Sequence, residues 1–275
     1  MPPRLVYRIV FFILFFCLFS FAGGSSLAAG TDPKPFFFYY NPDASQSNLV
    51  RLKQEMDHLL ASQKIKVSFQ PFNRLLDFHQ QVQSVKPIFF FLPHWYLQKY
   101  GQQLKLQPLL TPVRAGQSSY RKILLVAKNA DTAIGPALKN QSLAMTTMGP
   151  DEEAILDAVL FASHGIKAAE INIVDVPKDV DALFALALGQ VNMALVTRNT
   201  LETLTIINPR LVEGVKPVME TIPLPMPVLC AVKEGVSADF IKIFVDIFKH
   251  ADAATQKEQY MEILQIDGWK EVTPN

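Results

Sequence analysis

The run Thr146-Thr147-Met148-Gly149-Pro150, followed by Asp151, Glu152 and Glu153, contains residue types that hold anions. Hydroxyls and a glycine precede a helical pattern, and a helix start offers N–H donors and about half a positive charge. Three carboxylates crowd the same place. One of them about 7 Å from a bound anion, at an effective dielectric of about 20, would repel it by roughly 2 kcal/mol. The helix end supplies only about 0.3–2 kcal/mol. An anion site made of this turn alone is disfavoured, and acids capping a helix terminus are the structural alternative. An oxyanion would need cations, and Arg114, Arg121 and Arg198 are the candidates.

Aromatic residues offer a second chemistry. Tyr39, Tyr40, Trp95, Tyr96 and Tyr120 fall at or near the ends of strand-like runs, beside Asn41 and His94. They can fill a core. Facing a ligand, their hydroxyls could donate to an oxyanion, or their faces could hold an organic cation. The five histidines do not pair at metal-ligand spacing, so no metal is expected. G-x-S-x-G, H-E-x-x-H and a phosphate loop are absent, and Cys230 lies in an apolar run that suits an inert thiol. No acid–base pair can be nominated, so an enzyme is not expected.

These residues belong to a chain of 275, long enough for a sizeable core. Arg4 and Arg8 precede an unbroken apolar run, Ile9 to Ala22, and then the small residues GGSSLAAG. The run is short for a membrane span of about 20 residues. Residues 1–29 therefore read as a cleavable signal peptide, with the cut near Ala28 to Gly30. Its removal takes two of the 26 basic residues and none of the 25 acidic ones, leaving a near-neutral chain. That balance argues against nucleic acid as a partner. With Cys17 gone, Cys230 is alone and no internal disulfide is possible. No later segment reads as a span, so the mature chain is expected to be soluble, extracytoplasmic and free of stable membrane insertion.

Strand-like and helix-like segments alternate along it. Pro35–Tyr40 reads as a buried strand, and Leu49, Leu52, Met56, Leu59 and Leu60 as a helix face with Asp43, Ser45 or Ser47 as its cap. KIKVSFQ alternates as a strand, Leu75 to Val85 repeats as a helix, and PIFFFL is a third strand broken at Pro93. Such a βαβαβ start implies a parallel sheet, whose ligands lie beyond the carboxyl ends of its strands. Ser118–Lys128 reads as one long strand. A second set follows: SLAMTT, a helix over 149–165 with Pro150 at its first position and Gly165 as its stop, INIVDV, and a helix over 179–190 with Leu183, Phe184 and Ala187 inward. NMALVT then runs to Thr197 and Arg198. The proline-rich Val215–Val232 suits an edge or a crossover rather than a central strand, and two helices close the chain. The pattern is α/β with two lobes, 31–126 plus 222–275 and 127–221, and a cleft between them.

YNPDASQSNLVRLKQ, FQPF, PLLTPVRAGQSSYRKILLV, VPKDVDALFALALGQVNMALV and IDGW, in that order, resemble the phosphate/phosphite/phosphonate-type ABC-transporter substrate-binding proteins. The resemblance implies a type 2 periplasmic binding fold: two lobes, each a mixed, mostly parallel sheet flanked by helices, joined by a two-segment hinge. It also implies an oxyanion pocket at a Ser/Thr-rich turn of the second lobe. Here that place is Thr146, Thr147 and Met148, without the family's serines, while Tyr120 matches the family's crossover tyrosine. No cofactor is implied.

The expected binding set is Tyr40, Asn41, His94, Trp95, Tyr96, Arg114, Tyr120, Thr146, Thr147, Met148, Thr197 and Arg198. The leading expectation is a monomeric receptor that hands a small polar ligand, a phosphonate- or phosphate-like oxyanion, to an ABC permease/ATPase complex. An organic cation as ligand, or a sensor role without transport, are the alternatives.

Overall fold

Phe36–Tyr40 (β1) turns alternate aromatic rings to opposite faces of one sheet, and both faces are covered. Phe37 and Tyr39 pack into one core with Phe69, Phe89 and Phe244, while Phe38 and Tyr40 pack into another with Phe78, Phe90 and Tyr96. Burial on both faces explains the unbroken apolar run. The computed structural model describes residues 34–42, 46–130, 136–249 and 259–272. The expected signal peptide and the candidate caps Asp43 and Ser45 lie outside the described residues.

The first sheet has the order β13-β4-β12-β3-β1-β2. Ser68–Phe72 (β2) and Phe89–Leu92 (β3) run parallel to β1. Leu106–Val113 (β4), Val228–Val232 (β12) and Gly268–Glu271 (β13) complete it with antiparallel pairs. Gln46–Ser62 (α1) buries Leu49, Leu52, Met56, Leu59 and Leu60, as its spacing predicts. Leu75–Val85 (α2), His94–Tyr100 (α3), Ala238–Lys249 (α8) and Gln259–Leu264 (α9) also flank this sheet. Ring stacking joins α8 to the sheet, with Phe89 and Phe244 centroids 3.6 Å apart.

The second sheet has the order β10-β6-β9-β7-β8. Ser142–Met145 (β7) runs parallel to Asn172–Asp175 (β8) and Met193–Thr197 (β9), while Lys122–Ala127 (β6) lies antiparallel to β9 and to Val215–Glu220 (β10). Glu152–Leu156 (α4), Asp179–Ala187 (α5), Arg198–Ile207 (α6) and Pro209–Glu213 (α7) belong to this lobe. A two-residue ribbon, Ser119–Tyr120 (β5) against Leu224–Pro225 (β11), carries the chain between the lobes. The fold is the expected two-lobed α/β arrangement with a two-segment crossing. Among the described residues no helix is long and apolar enough to cross a membrane.

Several local expectations need correcting. Ser118–Lys128 is not one strand: it breaks at Arg121, and β5 and β6 join different sheets, so the expected limit at 126/127 falls inside β6. KIKVSFQ becomes a strand only at Ser68, because Lys64 closes α1 with φ +57° and Ile65 N–H returns to the Leu60 carbonyl. Pro150 precedes the helix rather than opening it, since Asp151 is the N-cap. The helical run then widens to a π turn at Asp157–Phe161, tightens at Ala162–His164, and stops at left-handed Gly165 as expected. In α5 the buried residues are Ala182, Leu183 and Leu186, and Phe184 is 42% exposed. Of the proline-rich stretch, β10 is an edge and β11 a crossing, but β12 is central and buried. Strands β4 and β13 and helices α6 and α7 were not anticipated.

Candidate functional site

The ends of the strands in both lobes meet at a cavity of about 360 Å³, within the size range of small-molecule sites. From the first lobe come Tyr39, Tyr40 and Asn41 at the end of β1, and Phe91, Pro93, His94, Trp95 and Gln98 from the β3–α3 junction. The crossings supply Tyr120 and the segment Ile222–Pro227. The second lobe gives a polar floor: Lys122 opens β6, Thr197 ends β9 directly opposite it, and Thr147 follows β7. The first lobe is thus mainly an aromatic wall, and the second holds hydroxyls and an ammonium.

Nine of the twelve expected residues line this cavity: Tyr40, Asn41, His94, Trp95, Arg114, Tyr120, Thr147, Met148 and Thr197. Three lie elsewhere. Tyr96 is buried among Phe78, Tyr40 and Tyr100, because α3 begins at His94 and the next helical step turns Tyr96 from the cavity into the core. Burial raises its phenol pKa far above the usual value. Thr146 is buried beneath the floor, on the opposite side of the chain from Thr147. Arg198 opens α6 and forms an ion pair with Glu220 on the edge strand β10.

The floor rests on a buried network that the sequence reading missed. Lys122 is 3% exposed, and its Nζ donates to Thr146 Oγ1 at 2.6 Å and lies 3.3 Å from Asp179 Oδ1. Asp179 also accepts Thr146 Oγ1–H at 3.1 Å and the Thr197 backbone N–H at 2.6 Å. A buried charge needs such a partner and hydrogen bonds to its remaining atoms. The signal available was a lysine heading the apolar run Ile123–Ala127.

Arg114 donates from Nε to the Gln265 carbonyl at 2.6 Å and from Nη2 to the Leu264 carbonyl at 3.2 Å. It therefore fastens the end of α9 as well as lining the cavity. Burial lowers its pKa, against the charge of Asp267. Burial also lowers the His94 pKa, with Gln98 opposing, which leaves the imidazole neutral near pH 7. Arg121 turns away from the cavity and donates to the Thr221 carbonyl at 2.7 Å.

At the Thr-Thr-Met-Gly turn a carboxylate of the chain itself takes a donor. Glu152 accepts the Met148 N–H at 2.7 Å, while the Gly149 N–H reaches Thr147 Oγ1 at 3.3 Å. Desolvation raises the Glu152 pKa, with the Met148 hydrogen bond opposing. A carboxyl raised in the folded state favours folding most below its unfolded pKa, and that contribution is lost as pH rises through the folded value. Glu152→Gln keeps an acceptor and removes the charge. It is expected to raise Tm by about a degree or two near pH 7, with the gain vanishing as pH falls below the ordinary glutamate range. Thermal melts of the two proteins across about pH 3–8 check it.

The lobes touch at the cavity rim. Lys99 on α3 pairs with Asp151 at 2.5 Å, and Asn199 on α6 donates to Gln265 at 3.0 Å. Gly149, at φ +120°, presses on the Trp95 ring so closely that a Cβ would lie 2.8 Å from it.

The sequence profile described as ABC transporter, phosphonate, periplasmic substrate-binding protein matches residues 38–275. No curated protein matches the chain. Among solved structures, a binding protein component of a phosphonate ABC transporter from Pseudomonas aeruginosa superposes with TM-score 0.68 at 14% identity, over 87% of this chain and 82% of that one. A Prochlorococcus marinus protein in complex with methylphosphonate gives 0.67 at 13% identity, over 88% and 93%. The periplasmic aliphatic sulphonate binding protein of Escherichia coli gives 0.55 at 17%, over 84% and 73%. These likenesses carry the fold, and the profile carries the family, which is one of solute-binding proteins rather than enzymes. With its strand ends gathered on one solute-sized cavity, the chain belongs to the periplasmic substrate-binding proteins of phosphonate ABC transporters.

Proposed function

We propose that this chain is an exported, monomeric receptor that captures a small organic oxyanion, of phosphonate or sulfonate type, and delivers it to an ABC importer. The cavity's division of labour carries the reading. The head group sits on the floor beside Thr147, Thr197 and Lys122, whose hydroxyls and ammonium must share it with the bonds they already make to Gly149, Thr200, Thr146 and Asp179. The carbon body lies against Tyr40, Phe91, Trp95 and Tyr120. Tyr120 also belongs to the hinge ribbon, so a ligand held there touches the segment that turns when the lobes move.

A thermal-shift screen of alkyl and aryl phosphonates and sulfonates tests the proposal. At least one is expected to raise Tm, by about 2–4 °C for each kcal/mol of binding. Thr147→Val, which removes one floor hydroxyl, is expected to weaken that ligand about tenfold, as loss of a charge-assisted hydrogen bond does. An unaltered affinity removes the floor from the site, and no response to any oxyanion removes the proposal.

The aromatic wall together with Glu152 favours a second reading, an organic cation held by ring faces. Choline and glycine betaine in the same screen test it. A shift with these and none with oxyanions decides for the cation.

A further inference from the structure

We propose that the cavity selects an oxyanion carrying a single negative charge on a bulky apolar body, an aryl- or branched-alkylsulfonate in chemical class, over doubly charged heads. The inference rests on the oxyanion reading above and narrows it.

Charge balance is the first support. Two basic side chains line the cavity, Arg114 and Lys122; Lys122 is paired with a carboxylate, and Arg114 lies within the field of another. Lys122 lies 3.3 Å from Asp179 Oδ1, with both side chains almost wholly out of water. Arg114 holds two backbone carbonyls and feels Asp267, whose Oδ2 accepts the Ala115 N–H at 2.5 Å. Glu152 adds a further carboxylate beside Met148 and Thr147, and Coulomb interaction links it to Lys122. His94 brings no charge near neutrality.

A singly charged head can share Lys122 with Asp179 and take hydroxyl donors from the floor. A second charge would meet only cations already matched, in a site where desolvation is least forgiving. Phosphate and simple alkylphosphonates carry that second charge above their second ionisation, whereas sulfonates never do.

The walls are the second support. A cavity of about 360 Å³ is far larger than one tetrahedral head group needs, and somewhat more than half of its lining is apolar. Pro223, Pro225, Met226 and Pro227 line it together with Phe91 and Trp95. Methyl-sized substituents would leave much of that surface wet. A ring or branched chain would cover it and gain the apolar transfer energy.

Calorimetry on the full chain at about pH 9, above the second ionisation of phosphorus oxyacids, tests the proposal with matched compounds. Benzenesulfonate is expected to bind at least about tenfold tighter than phenylphosphonate, and by a similar factor tighter than methanesulfonate. Tighter binding of phenylphosphonate or methylphosphonate overturns this inference and leaves the oxyanion reading standing. Binding of no oxyanion overturns both. Asp179→Asn, which takes the matching charge from Lys122, is expected to narrow the sulfonate preference severalfold. Glu152→Gln is expected to do the same without touching the buried pair, so it serves if the first variant does not fold. A preference unchanged in every folded variant overturns the charge-balance basis.

Discussion

Asp179→Ala is expected to lower the melting temperature by about 10 °C. The substitution strands the Lys122 ammonium in a buried place and takes the acceptor from the Thr197 N–H and the Thr146 hydroxyl. Breaking a buried pair by removing one partner costs about 3–5 kcal/mol, and a chain of this size loses about 2–4 °C for each kcal/mol. Lys122→Met on the Asp179→Ala background is expected to recover more than half the loss, because the stranded charge leaves while the apolar stem stays. The double-mutant cycle measures the coupling directly. If the single variant melts within about 3 °C of the parent, or the second change brings no recovery, the pair does not hold the floor together in the way described.

Gly149→Ala is expected to cost at least about tenfold in affinity for whatever ligand the screen finds, and to abolish ligand-induced compaction in solution scattering. Two physical causes act together. A φ of +120° strains any residue with a side chain, by about 1–3 kcal/mol, and the new Cβ would lie 2.8 Å from the Trp95 ring. Gly149 and Trp95 belong to different lobes, so the cheapest relief is for the lobes to part. Affinity then falls because the floor and the aromatic wall no longer share one ligand. Adding Trp95→Ala removes the collision but also part of the wall that holds the ligand, so compaction is expected to return only at ligand concentrations well above those the parent needs. If the Gly149→Ala variant binds and compacts like the parent, the contact does not govern closure.

Much of the architecture was legible because the first lobe follows simple patterns. Phe36–Tyr40 and Phe89–Leu92 are short apolar runs ended by Asn41-Pro42 and Pro93, and α1 repeats its leucines at helical spacing. The strand β4 was not legible because Pro108 and Pro112 argue against an interior strand. The sheet accommodates Pro108 at a register shift, where Leu110 pairs with Leu229 and Pro108 with Cys230. Pro217 stands at a similar irregularity in β10, on the sheet's edge. Cys230, expected to be inert, is wholly buried, and desolvation pushes its thiol pKa up to about 12.

The lining of the cavity was legible to the extent that strand ends are. Tyr40, Asn41 and Thr197 follow from that rule alone. Tyr96 and Thr146 were misplaced because a helix start and a strand end decide which of two neighbouring residues faces a cavity, and no spacing rule marks either point to one residue. Lys122 and Asp179 went unseen for a different reason. They lie 57 residues apart in the chain and meet only because β6 and β9 pair, which places Lys122 opposite Thr197.

The ribbon that links the lobes has a kinetic consequence. Two residue pairs and a hydrogen bond from the Met226 N–H to the Ser118 carbonyl hold it, and its returning side alternates Pro223, Leu224, Pro225, Met226, Pro227. Proline holds φ near −65° and has no N–H to form new pairs, so three of the pivot's backbone torsions are fixed in any position of the lobes. A shutter on a pin with fewer loose torsions has less disorder to give up on shutting. Residence time then depends on how firmly cargo grips the two leaves rather than on how far they travel.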